Sequence, residues 1–443
     1  MRKRQSLVVC LAFAAFWAGP LRAEGVLDVY RLAVTNDPRV AAARLDYLAS
    51  TKARRAALAG LLPTIIYDNE TTHERQNILS SQNAVIGAGF SKFPIDYWAL
   101  TITQPIIKLQ AWQRLDQAEA AERQALAQQV AAEQALVVRV ASAYLGVLAA
   151  QDGLAFATAE RVAVGQQLPL AKERVARGLA TVVNLHDAQS RFATAESQEI
   201  EANAVLADAL QAMREITGKL PDSYRVLADE IPLSRPDPAD VNAWIDAAQK
   251  GNPGLDAKRQ AAEVAQAEVR RQRAGYAPTL NLVGSINNRK QGGTLFGGGS
   301  HVETSDISLK FNFPIYEGGL TTAVTEEAAF RHSKSLQEVE AEARGLDRLT
   351  RSAYLGVISA ISRVQALRQG VVSQGSALKA KQESFRAGLL TLIGVLDAER
   401  DLHLVRRDYA KARYEYLINR LRLKQATGTL AEADLEAIDR LLK

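Results

Sequence analysis

The sequence predicts an α+β membrane protein. Four transmembrane β-strands per chain belong to a trimeric 12-stranded barrel, which a long α-helical coiled-coil barrel continues, and the chain has a two-fold internal repeat. Three observations predict this fold. The chain repeats itself at a nearly constant offset, each copy has two stretches of alternating apolar and polar residues, and each copy has a very long helical stretch that ends in a glycine-containing turn.

The repeat is visible in identical residues. The hexapeptide Ser-Ala-Tyr-Leu-Gly-Val begins at Ser142 and returns unchanged at Ser352, which is 210 positions later. Further upstream, Pro38 corresponds to Pro253 at an offset of 215. Two copies of one structural unit are therefore expected. The predicted parts are a signal peptide (1–23), a first repeat (24–220), an equatorial linker (221–240), a second repeat (241–427) and a C-terminal equatorial tail (428–443).

The N-terminal residues have the pattern of a secretory signal peptide. Arg2, Lys3 and Arg4 precede an apolar run, and a small residue, Ala23, stands at the expected cleavage site. Cleavage there removes four basic residues and no acidic residue, so the formal net charge falls from +5 to +1. A net charge this small does not indicate nucleic-acid binding. It also removes Cys10, the one cysteine, so the mature chain has no disulfide and no thiolate site.

Two stretches in each repeat alternate with period two, which is typical of a strand with one apolar and one wet face. No apolar run of 18 residues is expected to cross the bilayer as a helix, so strands are the predicted spans. Four strands cannot close a barrel, and an open edge in lipid leaves backbone groups unpaired, whereas three copies would supply twelve strands. The alternating apolar residues are Ile65 and Tyr67; Trp98, Leu100 and Ile102; Leu280, Leu282 and Ile286; and Ile307, Leu309, Phe311 and Phe313.

Helix lengths predict how the helices are arranged. In the first repeat the run 106–177 is about 105 Å long at 1.5 Å per residue, whereas 182–218 is about 55 Å and 38–62 about 37 Å. The two shorter helices are therefore expected to stack end to end beside the long one. The second repeat obeys the same rule with the runs 320–387, 391–427 and 253–275.

Apolar residues in the long runs recur in alternating steps of three and four, which indicates coiled-coil packing. Leu355, Ile358 and Ile361 form a second apolar stripe, so we expect neighbours on two sides, as in a ring of helices. The main stripe of the second run is Leu336, Val339, Ala343, Leu346, Thr350, Ala353, Val357, Ala360, Val364, Leu367 and Val371.

The two turns between long and short helices share one chemistry. Gly178 and Gly388 are predicted to adopt the left-handed conformation after a helix C-terminus, and Thr181 and Thr391 to cap the next helix. The tip residues singled out are Arg177, Gly178, Leu179 and Thr181 in the first turn and Arg386, Gly388, Leu389 and Thr391 in the second.

Together these motifs resemble the TolC family of outer-membrane efflux and type I secretion channels. The resemblance rests on the duplicated turn and hexapeptide and on the segments 313–319, 395–398 and 414–419. It implies a homotrimer in the outer membrane of a Gram-negative bacterium, with most of its mass in the periplasm. It further implies that a periplasmic adaptor protein and an inner-membrane transporter dock at the helical tips, in part through Gly178, Leu179, Gly388 and Leu389.

The resemblance also implies acidic rings at a constriction of the tunnel. The matching places on the helix after the second turn are Gly394 and Asp397, and those on the helix after the first turn are Asn184 and Asp187. Half of the charge in the second-turn motif is absent here, because Gly394 replaces an acid.

Two other functions remain possible at this stage. A non-conducting periplasmic coiled-coil adaptor or scaffold explains the heptads but not the four alternating strands. An enzyme is less favoured, because the five histidines lack ligand spacing and no His-Glu-x-x-His or Gly-x-Ser-x-Gly occurs. We therefore expect no catalytic site, cofactor or metal, and the partners to be further copies of the chain, adaptor, transporter and outer-membrane lipid.

Overall fold

The computed structural model describes residues 23–80, 82, 88–221, 223–293 and 298–443. All but the last residue of the predicted signal peptide lies outside this part of the chain. The elements are α1 (Val26–Asn36), α2 (Pro38–Ala59), β1 (Thr64–Ile78), β2 (Gly89–Ile107), α3 (Leu109–Ala176), α4 (Val182–Thr217), α5 (Val241–Gly251), α6 (Pro253–Arg273), β3 (Thr279–Gln291), β4 (Ser300–Asn312), α7 (Leu320–Arg386), α8 (Leu392–Ala426) and α9 (Glu432–Asp439).

The strands form one antiparallel sheet in the order β1-β2-β3-β4. The two hairpins repeat each other in register: Thr64 pairs with Thr103, and Thr279 pairs with Asn312, 215 and 209 positions later. The strands are 13 to 19 residues long, longer than the nine or so expected from the apolar alternation, because pairing continues into polar sequence towards the loops. Both outer strands, β1 and β4, are paired on one side only.

The predicted alternation gives the sheet an apolar and a polar face. Residues that pair directly share a face, and in one such row Tyr67 lies opposite Leu100, which lies opposite Ile286. The rings of Tyr67 and Trp98 stack on the same face with centroids 6.5 Å apart. On the polar face the Ser285 hydroxyl donates to Asp306 Oδ1 at 2.6 Å.

The helices form four parallel columns, as the lengths predicted. α2 and α4 stack end to end along α3, where Arg39 of α2 pairs with Glu215 of α4 at 3.0 Å. α6 and α8 stack in the same way, and the side-chain amide of Asn252 donates to the Ala426 carbonyl at 3.0 Å. The α6–α8 column packs against both α3 and α7. The column order is therefore α2–α4, α3, α6–α8, α7, with one free side on each outer column.

The main hydrophobic core lies at mid-length, where α1 and α9 pack against α3. The repeated hexapeptide supplies part of it. The Tyr144 hydroxyl lies 2.9 Å from the carbonyl oxygens of Glu24 and Arg225, and the Tyr354 hydroxyl donates to the Ala239 carbonyl at 2.7 Å. Tyr144 thus holds the segment before α1 by a hydrogen bond, and Tyr354 does the same for the segment before α5. This shared role explains why the tyrosine occurs in both copies.

One expectation from the sequence is wrong. The 68-residue helix α3 does contain an 18-residue stretch with a mean hydropathy of 1.3, apolar enough by composition to cross a membrane. The core accounts for much of this apolarity, since the largest buried side chains of α3 lie between Leu136 and Leu148. The second stripe of α7 is covered only in part within the chain, because Ile361 is 7% exposed whereas Leu355 is 56% exposed.

Candidate functional site

The two helical tips have nearly identical backbones. Gly178 and Gly388 adopt the predicted left-handed conformation, with φ of 68° and 75°. This conformation lets the amide of Leu179 bond to the Arg174 carbonyl at 2.8 Å, and that of Leu389 to the carbonyl five residues before it at 2.9 Å. A side chain on Cβ makes positive φ unfavourable, so glycine is the residue that ends both long helices.

Thr181 and Thr391 occupy the N-cap positions of α4 and α8, but neither side chain makes a capping hydrogen bond. The backbone carbonyl of each threonine accepts instead, from the amide of Asn184 in α4 and of Gly394 in α8, both at 3.1 Å. The predicted position is therefore right, and the predicted side-chain cap is not present.

An exposed leucine projects at the end of each tip. Leu179 is 70% exposed and Leu389 is 83% exposed. Beside them Arg177 pairs with Glu173 of its own helix, and Arg386 Nη1 lies 2.8 Å from Glu383 Oε1. Each tip thus presents one apolar side chain next to a charged pair. Such a surface would fit an apolar pocket with a polar rim on a partner protein.

An ion pair joins the two hairpins close to their tips. Nη1 of Arg191 in α4 lies 2.6 Å from Oδ1 of Asp397 in α8, and Arg400 lies 3.8 Å from the same carboxylate. The side chains of Arg191 and Asp397 are 36% and 35% exposed. The bond spans α3, because α3 packs between α4 and α8. It can hold the two hairpins together near their tips.

Arg191 was not among the residues predicted from the sequence. The signal that could have revealed it is a break in the repeat: the position 210 residues later is Asp401, an acid in place of a base. Charge reversal at equivalent positions indicates that the two hairpins do not have equivalent neighbours.

The other predicted constriction residues do not join this ion pair. Asn184 and Asp187 are exposed on α4, and Asp187 makes no ion pair within the part of the chain that the structure describes. Gly394 lies in the first turn of α8, where an added Cβ would come within 3.0 Å of the Leu390 side chain. The structure thus connects one of the four predicted residues, Asp397, to the opposite hairpin.

A cleft of about 340 Å³ lies beside this ion pair, between α4 and α8 and above α3. His403 contributes to its wall, with its ring 6.2 Å from that of Phe156. Burial lowers the pKa of His403, and the positive charge of Arg406 lowers it further, so the imidazole is neutral at pH 7. Among the described residues there is no cluster of His, Cys, Asp and Glu that could hold a metal ion.

Comparison with known proteins agrees with this architecture. The model of the outer membrane efflux protein family matches residues 29–219 and 244–429. The chain is 31% identical to the outer membrane protein TolC of Vibrio cholerae over 445 residues, covering 100% of this chain and 99% of the relative. It is also 31% identical to the alkaline protease secretion protein AprF of Pseudomonas aeruginosa, covering 94% of this chain and 86% of that one.

A solved structure has the same fold. The outer membrane channel CmeC of Campylobacter jejuni superposes with a TM-score of 0.79 at 15% identity, covering 95% of this chain and 90% of that one. The family is one of outer-membrane channels rather than of enzymes. The chain therefore belongs to the outer membrane efflux protein family and is a channel protein of the outer membrane.

Proposed function

We propose that the chain forms the exit duct of a tripartite efflux or type I secretion system. In this proposal a homotrimer acts as a passive channel-tunnel across the outer membrane and the periplasm. It opens when a periplasmic adaptor protein and an inner-membrane transporter dock at its tips. The transporter supplies the energy and selects the cargo, because the duct itself contributes generic polar surface.

The observation that carries the proposal is that the sheet and the helix columns have their free edges on the same two sides. β1, at one edge of the sheet, follows α2, and β4, at the other edge, leads into α7. α2–α4 and α7 are also the two outer helix columns. When the α7–β4 side of one chain meets the α2–β1 side of the next, the contact is head-to-tail and can close into a ring.

Exposure at equivalent positions supports such a ring. Leu145 of α3 is fully buried, whereas Leu355, its counterpart on the outer column α7, is 56% exposed. Ile200 on the outer column α4 is 67% exposed, whereas its counterpart Ala410 in α8 is 4% exposed. The outer columns therefore present apolar surface that a neighbouring chain would cover.

Three copies give a closed structure of the expected size. They supply twelve strands, enough to close a barrel in the membrane, and twelve helix columns. The 68 residues of α3 make each long column about 100 Å long at 1.5 Å per residue. We assign 24–220 and 241–427 to the two equivalent halves, with 221–240 and 428–443 as a belt around the middle.

We assign the closed end of the duct to the helical tips and to the first turns of α4 and α8. Asn184, Asp187, Gly394 and Asp397 are the proposed constriction, and the Arg191–Asp397 bond holds it closed. The adaptor is proposed to meet the tips, where Leu179 and Leu389 are exposed. The remaining tip residues, Arg177, Gly178, Thr181, Arg386, Gly388 and Thr391, shape these contacts.

Conductance tests the proposal directly. Purified protein in planar lipid bilayers should give discrete conductance steps, and cell fractionation should recover it with the outer membrane. A protein that stays in the soluble periplasmic fraction and never conducts would instead be the non-conducting adaptor or scaffold that the heptads alone allow. The apolar face of the sheet favours the channel, since Ile307, Leu309 and Phe311 are 84%, 63% and 66% exposed.

A further inference from the structure

The internal repeat determines how one chain pairs with the next in the sheet. Because each repeat contributes one hairpin, β3 is the equivalent of β1, and β4 is the equivalent of β2. The contact of β2 with β3 inside the chain is thus the equivalent of the contact of β4 with β1 of the neighbouring chain. This inference rests on the ring proposed above. It adds the register of the contact between β4 of one chain and β1 of the next, which we call the seam.

The equivalence holds residue by residue in the two hairpins. Thr64 pairs with Thr103 and Thr279 with Asn312, and every other pair in the second hairpin keeps the same offsets of 215 and 209. Between the hairpins, Thr101 pairs with Ser285 and Ala99 with Asn287. Applying the two offsets to these inner pairs gives the seam.

We propose that at the seam between chains Lys310 lies directly opposite Glu70, and Ser308 directly opposite Thr72. The same register places Leu309 opposite Thr71 on the apolar face. Lys310 and Glu70 both lie on the polar face, since residues of one face alternate along each strand. Opposite charges in direct cross-strand contact stabilise a sheet.

Exposure in the single chain agrees with this seam. Ile307 is 84% exposed, whereas its equivalent Trp98, which has strands on both sides, is 37% exposed. Leu309 is 63% exposed and its equivalent Leu100 is 36% exposed. β4 thus lacks the neighbour that β2 has.

Charge alone does not select this register. Asp306 falls opposite Glu74, which is a pair of like charges and unfavourable by itself. Each of the two is already bonded within its own chain, Asp306 to Ser285 at 2.6 Å and Glu74 to the amide of Gln76 at 2.7 Å. The register is selected by the repeat, and the Lys310–Glu70 pair is its favourable electrostatic consequence.

The same repeat also predicts one contact between the helix columns of neighbouring chains. Inside the chain the side-chain amide of Gln134 in α3 donates to the Gly428 carbonyl, at the end of α8, at 2.7 Å. The residues 210 positions away are Arg344 in α7 and Gly218 at the end of α4. Gly218 has the same left-handed conformation as Gly428, with φ of 72° against 73°. Arg344 of one chain is therefore placed to donate to the Gly218 carbonyl of the next chain.

Cysteine cross-linking tests the register, because Cys10 is the one natural cysteine and lies in the predicted signal peptide. Directly opposite Cβ atoms are about 4.5–5.5 Å apart and diagonal ones about 7–8 Å, and a disulfide needs about 3.5–4.5 Å. We expect Ser308→Cys combined with Thr72→Cys to oxidise to covalent dimers and trimers at least tenfold faster than Ser308→Cys combined with Glu70→Cys or Glu74→Cys.

A second pair controls for hydrogen-bond geometry. Adjacent cross-strand pairs alternate between hydrogen-bonded and non-hydrogen-bonded types, which differ in the separation of their side chains. Leu309→Cys with Thr71→Cys is therefore compared with Leu309→Cys with Asn69→Cys or His73→Cys, and the Thr71 pair is expected to react fastest. Within one chain β1 and β4 are three strand spacings apart, about 14 Å, so each disulfide reports a contact between chains.

The outcomes separate the register from the ring. Trimers in which Ser308 links fastest to Glu70 or Glu74, and Leu309 fastest to Asn69 or His73, would overturn the register and leave the ring in place. Unmodified protein that is monomeric in detergent by mass measurement would overturn the proposed function as well. Fast linkage through Thr72 or Thr71 in a trimer supports the register.

Discussion

Arg191 of α4 and Asp397 of α8 form an ion pair, with 2.6 Å between Nη1 and Oδ1, that connects the two hairpins through residues 206 positions apart in sequence. The contact is partly exposed, so its contribution is modest and sensitive to salt. In a trimer it occurs three times at the end where the duct is proposed to close.

Breaking this ion pair should favour the open channel. Arg191→Gln or Asp397→Asn removes about 0.5 kcal/mol per chain, and three such losses shift the open-to-closed ratio by about tenfold. Single-channel open probability in planar bilayers measures the effect. The matched control is Arg177→Gln, which breaks a pair within one helix, Arg177 with Glu173. An open probability equal to that of the control in both variants would show that the pair does not hold the tip closed.

Replacing the exposed tip leucines should block docking without unfolding the protein. Leu179→Asp and Leu389→Asp put a charge into the proposed apolar contact, and since both side chains are largely exposed, stability should change by less than about 0.5 kcal/mol. Adaptor capture by the purified trimer should fall at least tenfold. Leu79→Asp is the control, because Leu79 is at least as exposed as the two tip leucines, at 84%, but follows β1 at the opposite end. Equal capture by all three variants would remove the tips from the interface.

An acid at position 394 should change ion selectivity. Gly394→Asp introduces the acid that the resemblance implies at this position and that the chain lacks. The first turn of a helix also favours negative charge. Leu390 must move slightly, because the new Cβ would come within 3.0 Å of its side chain. We expect stronger cation selectivity and stronger block by divalent cations. Reversal potentials in a salt gradient measure the change, with Gly394→Asn as the neutral control, and a variant as selective as that control would place residue 394 away from the lumen.

Acid should weaken the first repeat through Asp37. Burial raises the pKa of this carboxyl, but the hydrogen bonds from Arg139, at 2.8 and 3.0 Å, and from the amide of Val40 outweigh burial, and the net pKa is lowered. A lowered carboxyl pKa contributes stability above the unfolded value of 3.8, and that stability is lost as the pH falls through the folded value.

Asp37→Asn isolates this contribution. The variant keeps a side-chain acceptor for Val40 and resembles Asn252, which caps α6 at the equivalent place. We expect it to be less stable by about 1–3 kcal/mol at pH 7, and its melting temperature to fall less steeply than that of the natural protein below pH 4. Parallel pH profiles of the two proteins would show that Asp37 is not responsible.

Much of the fold was predictable because its signals are local. The C-terminal ends of the long helices follow from Gly178 and Gly388, and the strands follow from alternation over adjacent residues. Length alone correctly predicted that α2 and α4 stack along α3. The short helices α1, α5 and α9 were not predicted, since eight to eleven residues carry little periodic signal and are held in place by the core.

The sequence by itself determined the two-fold repeat, the order of the four strands and of the longer helices α2–α4 and α6–α8, and the positions of both tips. Each of these depends on residues close together in the chain or on identity between its halves. The tertiary structure alone decided that Asp397 pairs with Arg191, that Tyr144 and Tyr354 hold equivalent segments, and which columns have a free side. These contacts join residues up to 206 positions apart, and only packing brings such residues within the few ångströms over which ion pairs and hydrogen bonds act.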